Sequence, residues 1–125
     1  MTGNRVLILD DSALILDVAK AALEDAGFSV GTAIDLAQFE HERLHSRPDL
    51  VLIDVNMPEA FGDDVAAVLR AVRGLKVPIL LFSNLEAPEL EARAREAGID
   101  GFISKRAGIP AFVSRVKSIL DPGAQ

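Results

Sequence analysis

The sequence predicts a doubly wound α/β fold, a five-stranded parallel sheet with five helices packed on its two faces. Three observations carry that expectation. Short apolar runs alternate with stretches of helical period along the chain. The third and fourth runs, Asp49–Asp54 and Val77–Phe82, are apolar on both faces, as strands inside a parallel sheet are. Only two to eight residues separate consecutive elements, which leaves room for simple crossovers and little else.

Taken in order, Arg5–Leu9 is long enough for a strand and too short for a helix. From Ser12 to Ala26 the period changes, with Asp17, Lys20 and Glu24 forming one polar stripe on an otherwise apolar helix. Ser12 suits its N-cap, and Gly27 suits the left-handed residue that closes it. Phe28–Thr32 reads as the second strand, and Asp35 caps a weaker helix to about Leu44, before Pro48. The third strand is followed by a helix over Gly62–Arg73, with Val65, Val68, Leu69 and Val72 expected on its inner side. In the fourth strand Pro78 is tolerable near the start. Glu86–Ala97 is a charged helix stopped by Gly98, and Gly101–Ser104 is a short last strand. The last helix begins at about Ile109, with Pro110 in its first turn and Phe112, Val113, Val116, Ile119 and Leu120 in register.

At 125 residues one domain is expected over 1–125, with a core over about 5–120 and a polar tail over 121–125. The 13 basic residues face 19 acidic ones, a net charge of −6 that disfavours non-specific nucleic-acid binding. Lack of cysteine excludes disulfides, thiolate-bound zinc and cysteine nucleophiles, and His41 and His45 are too few for a histidine-rich metal site. No apolar stretch reaches the length of a membrane span, and the first five residues are too short and polar for a signal peptide. A cytoplasmic location is expected, with no membrane contact.

Open α/β sheets bind ligands beyond the carboxyl ends of their strands. Asp10 and Asp11 follow the first strand, Asp54 the third, Ser83 the fourth and Lys105 the fifth. Each has an ordinary explanation alone: a helix cap, a turn former before Pro58, a solvated lysine. All at the same end of successive strands, they point to chemistry. Three carboxylates close together repel, so the group calls for a cation or for raised pKa values. An all-oxygen set suits Mg²⁺, which keeps waters and commonly shares a phosphate with the protein. Lys105 supplies a mobile positive charge and Ser83 a neutral donor, so the inferred ligand is a phosphoryl group, with a carboxylate as nucleophile or metal ligand.

Four segments in this order resemble the receiver domains of bacterial two-component response regulators: Val6–Ser12, Asp49–Pro58 with Gly62 four residues beyond the proline, Leu81–Ser83, and Gly98–Lys105. The resemblance covers nearly the whole chain. It implies a flavodoxin-like strand order 2-1-3-4-5. It implies Asp54 as phosphoacceptor, supplied by a histidine kinase, a histidine phosphotransferase or a small phosphodonor. Asp11 would hold Mg²⁺ directly, Asp10 mainly through water, with Asp54 and the Asn56 backbone carbonyl completing the set. Lys105 would pair with phosphoryl oxygens, Ser83 would swing inward to bond one of them, and Phe102 matches the aromatic switch position. The face built from the fourth helix, fifth strand and fifth helix would then change for a downstream protein partner. Near the acidic pair, Ile15 and Leu16 fall where related proteins meet a kinase or phosphotransferase, although core packing also explains an apolar residue there.

Two positions depart from the pattern. Asn84 stands where Ala or Gly is usual, and Arg106 follows Lys105 where the family usually has a proline after a cis peptide bond. A non-proline cis bond costs about 3 kcal/mol, so a trans bond and a rearranged 106–110 loop are expected. These departures motivate an alternative, a phosphorylation-independent interaction module. A third reading, a Mg²⁺-dependent aspartyl-phosphate hydrolase, meets adjacent acids rather than acids spaced by one residue, and no inserted cap.

Overall fold

The computed structural model describes residues 4–121; the chain start and residues 122–125 of the expected tail lie outside the described residues. Strands β1 (Arg5–Leu9), β2 (Ser29–Ala33), β3 (Leu50–Ile53), β4 (Ile79–Ser83) and β5 (Gly101–Ser104) form one parallel sheet in the order 2-1-3-4-5. Helices α1 (Ala13–Asp25), α2 (Leu36–Ser46), α3 (Gly62–Ala71), α4 (Ala87–Ala97) and α5 (Ile109–Leu120) cover it. Both expectations, fold class and strand order, hold.

Side chains alternate across the sheet because successive residues of a strand point to opposite faces. Val6, Ile8, Leu50, Leu52, Leu80 and Phe82 face α1 and α5, meeting Leu16, Ala19, Leu23, Phe112 and Val116. Leu7, Leu9, Val51, Ile53 and Ile79 face the other way, against Phe39 of α2 and Ala66 and Leu69 of α3. Val55 and Leu81 extend that side under Leu90 and Ala94 of α4. Burying each large aliphatic side chain contributes about 1.5–3 kcal/mol, so these layers fix the sheet firmly enough to hold charges at its edge.

Local signals set most boundaries. Ser12 Oγ accepts from the Ile15 N–H at 3.3 Å and Asp35 Oδ1 from the Gln38 N–H at 2.9 Å, the two expected caps. Two strands start later than their apolar runs suggest. Pro78 precedes β4, where the first amide, that of Ile79, donates to Asp100 Oδ2 at 2.9 Å. Asp49 precedes β3 because its carboxylate accepts from the Arg5 N–H at 3.0 Å. β2 is displaced by one residue and α2 runs to Ser46, ending on Arg47 at φ 48°.

The inner face of α3 differs from the expectation. Ala66 and Leu69 are buried, but Val68 is 46% and Val72 73% exposed, and Val72 lies past the helix end. Gly62 is the cause. A Cβ built on it would come within 1.9 Å of the Asp54 carbonyl oxygen, so only glycine lets the helix start so close to β3. With residue 62 turned inward, the helical period brings 66 and 69 inward after it and rotates 68 and 72 outward. Urea denaturation tests this orientation: Leu69→Ala should cost about 2–5 kcal/mol and Val72→Ala less than about 0.5 kcal/mol. Equal losses at the two positions would reverse the assignment. Gly62→Ala should also fall among the large losses, because a backbone carbonyl cannot move aside as a side chain can.

Candidate phosphoryl and metal site

The sheet brings Asp10, Asp11, Asp54, Ser83 and Lys105 to one edge. Ladder bonds continue to the rim: the Asp10 N–H donates to Ala33 O at 3.1 Å and the Asp54 N–H to Leu9 O at 2.9 Å. These hold both acids on rigid backbone. Asp10 is wholly buried, Asp54 is 6% exposed, and Asp11 stands in solvent. Carboxylate oxygens from the three lie within 4.8 Å of one another.

Lys105 lies between the buried pair. Its Nζ is 2.5 Å from Asp10 Oδ2 and 3.4 Å from Asp54 Oδ1. The shorter contact is an ion pair rather than an aligned hydrogen bond: Asp10 Oδ2 has no hydrogen-bond partner among the described residues. Asp10 Oδ1 accepts from the Ser12 N–H at 2.9 Å. Nζ also lies 5.1 Å from the ring centroid of Phe82, which stacks on Phe112 at 5.0 Å. Phe82 thereby gives the ammonium an apolar and weakly attractive wall. Its role was not assigned from the sequence, where it reads simply as a buried strand residue; its place directly before Ser83 was the available signal.

Asp54 carries the electrostatic strain. Burial pushes its carboxyl up to about 6, with Asp10 and Asp11 adding to the rise and Lys105 opposing it. A cluster of three carboxylates that offers only oxygen, with those oxygens within 4.8 Å of one another, fits a hard divalent cation such as Mg²⁺.

Other expected site residues occupy different settings. Asn56 is exposed and pairs with Phe61 in an isolated antiparallel bridge, which folds the loop after Asp54 back toward α3. Ser83 is buried, and its Oγ accepts from the Leu85 N–H at 3.2 Å. Phe102 is half-buried against the side of the sheet that α4 covers, with Leu81 and Leu90. Leu16 is core, while Ile15 is half-buried and lines a small cavity of about 120 Å³ with Lys105 and Phe112. The Lys105–Arg106 bond is trans, and Lys105–Ala107 form a 3₁₀ turn in which Ser104 Oγ accepts from the Arg106 N–H at 3.1 Å. Gly108, at φ 89°, then turns the chain into α5. Asn84 is exposed, and its backbone carbonyl accepts from Arg106 Nε at 2.6 Å.

The raised carboxyl sets a pH dependence. Asp54 has an ordinary value of 3.8 and one near 6 in the fold, so folding favours its protonated form. That contribution to stability is complete below 3.8 and is lost as pH rises through about 6. Asp54→Asn removes the charge. In metal-free buffer at pH 7.5 it should therefore raise the unfolding free energy by about 3 kcal/mol, an advantage that fades toward pH 4. Thermal denaturation across that range checks it, and a substitution that destabilises at pH 7.5 would contradict the origin given for the shift.

The chain matches the family model of the response regulator receiver domain over residues 6–117. It is 33% identical over 120 residues to the transcriptional regulatory protein PrrA of Mycobacterium bovis, aligning 96% of its own length with 51% of that protein. It thus spans about half the length of that relative. It is also 30% identical over 117 residues to the polar-differentiation response regulator DivK of Brucella anthropi, covering 92% of this chain and 94% of that one. Among solved structures, the chemotaxis response regulator CheY4 of Vibrio cholerae superposes with a TM-score of 0.83 at 28% identity, covering 95% of this chain and all of CheY4. Strand order, sheet edge and a match across most of the sequence agree, and the chain belongs to the receiver domains of two-component response regulators.

Proposed function

We propose that this receiver accepts a phosphoryl group on Asp54, with Mg²⁺ held by Asp10, Asp11, Asp54 and the Asn56 backbone carbonyl. One observation carries the reading: Asp54 is a buried carboxylate on rigid strand backbone, set among two further acids and the Lys105 ammonium. An Asp54 oxygen attacks phosphorus, a P–O bond forms, and the P–N bond of a phosphohistidine donor breaks with its electron pair left on the imidazole nitrogen. Lys105, already 3.4 Å from Asp54, follows the added negative charge. Bound Mg²⁺ would neutralise charge on the phosphoryl oxygens. Ser83 moves from the Leu85 amide to one of those oxygens, and Phe102 passes the change to the face of α4, β5 and α5, where a downstream protein binds.

The donor is a histidine kinase or histidine phosphotransferase in the cytoplasm. Exposed Leu14 and half-buried Ile15 on α1, next to the acidic pair, form the apolar side of its docking surface. Lys105 and Asp54 remain together at the sheet edge despite the trans bond after Lys105, which favours an acceptor over a phosphorylation-independent module.

Incubation with Mg²⁺ and acetyl phosphate should give one phosphoryl adduct by intact mass, lost in Asp54→Asn. Backbone NMR shifts with beryllofluoride should extend from Asp54 to Phe102 and α5. A protein that gains no adduct and shows no Mg²⁺-dependent shift is the interaction module instead, and steady turnover of small phosphate esters would mark a hydrolase.

A further inference from the structure

One peptide group between β4 and α4 is held from both sides. Its N–H, from Leu85, donates to Ser83 Oγ at 3.2 Å, and its carbonyl, from Asn84, accepts from Arg106 Nε at 2.6 Å. The two ends of one peptide plane therefore join the hydroxyl that must move to the residue directly after Lys105. Arg106 is itself fixed at its backbone, since its N–H donates to Ser104 Oγ at 3.1 Å within the 3₁₀ turn. Its guanidinium also comes within 3.8 Å of Glu86, but with the two side chains 61% and 78% exposed that contact adds little.

We infer that Arg106 is a positioning residue that restrains Ser83 in its resting orientation, through the Asn84–Leu85 peptide, and so sets the switching equilibrium of this receiver. The inference rests on the acceptor reading above and deepens it. A side-chain N–H donor on the carbonyl polarises the peptide through the chain of hydrogen bonds and makes the Leu85 N–H a stronger donor to Ser83 Oγ. It also keeps the plane oriented with that N–H toward the hydroxyl. For Ser83 to turn to a phosphoryl oxygen, the Leu85 amide must lose its acceptor while Arg106 still holds the opposite end. A bond that favours one state of a two-state switch shifts the equilibrium by its differential contribution. A residue without a side-chain donor after Lys105 would apply no such restraint. The trans bond after Lys105 is what accompanies this arrangement here.

Three proteins test the inference: the unmodified chain, Arg106→Ala and Arg106→Gln. The glutamine amide nitrogen occupies the place of arginine Nε, so this variant keeps the donor and removes the charge. Arg106 is mostly exposed, so all three should fold alike. Without ligand, hydrogen exchange at the Leu85 amide should quicken about fivefold in Arg106→Ala. With Mg²⁺ present, the beryllofluoride dissociation constant should fall about fivefold in the same variant, equivalent to about 1 kcal/mol. Arg106→Gln should stay close to the unmodified chain in both measurements.

An alanine variant that exchanges faster but binds beryllofluoride as before would reduce Arg106 to a local brace and overturn the coupling. Weaker binding in Arg106→Ala, or a glutamine variant matching alanine, would show that charge rather than the donor acts, and would also overturn it. If even the unmodified chain bound no beryllofluoride, the acceptor reading and the coupling would fall together. The Leu85 exchange rate would then still decide whether Arg106 pins the peptide.

Discussion

Two carboxylates are buried side by side on backbone that cannot separate them. Asp10 and Asp54 directly follow neighbouring parallel strands, and each amide is tied to the adjoining strand. Burial disfavours the charged form of a carboxyl, and a second carboxyl nearby disfavours it further. A flexible loop would relieve this by swinging one acid into solvent. Here the strands are anchored by leucine, isoleucine and valine on both faces, so the strain persists and appears in the raised Asp54 carboxyl. The position of Lys105 follows from it: one ammonium at the end of β5 reaches both acids, backed by the ring of Phe82.

The parts legible in the sequence are those fixed by short-range chemistry. Ser12 and Asp35 act as caps because a side-chain oxygen and an amide three residues on suffice. The edge residues were readable for a related reason: a run of four or five apolar residues defines where a strand stops, and the next polar residue must lie near its carboxyl end. Gly62 marks the boundary of that reasoning. The glycine itself is visible, but the carbonyl it must avoid belongs to Asp54, just past the end of β3 and eight residues earlier. Periodicity alone therefore admitted a rotation of α3 that buried Val68 and Val72, whereas the packed helix turns them outward.

The loops at the sheet edge were less legible because their bonds join residues remote in sequence and use backbone atoms that every residue has. Arg106 Nε meets a carbonyl 22 positions earlier, and nothing about Asn84 as a residue type announces that its carbonyl is the acceptor. The departure from the family pattern at 106 could be read as a departure, without its consequence. The same holds for Ser83, whose resting partner is the Leu85 amide in its own turn.

Strained acids and movable loops belong to one physical design. A cation or phosphoryl group that binds the folded chain and not the unfolded one stabilises it by mass action. On the proposed acceptor reading, the free energy that the clustered acids cost the fold is recovered when a cation shields them, so destabilisation and affinity have a common source. The recovered energy acts on structure only where the backbone can respond. Strands packed on both faces cannot, and Asp10 and Asp54 hold their places. Ser83 and Lys105 stand where sheet gives way to turn, at the end of β4 and just past the end of β5, each next to a loop held by a few hydrogen bonds. On the proposed acceptor reading, charge introduced at the rigid positions is answered by movement at these two, and the bonds that restrain them set how much charge is needed.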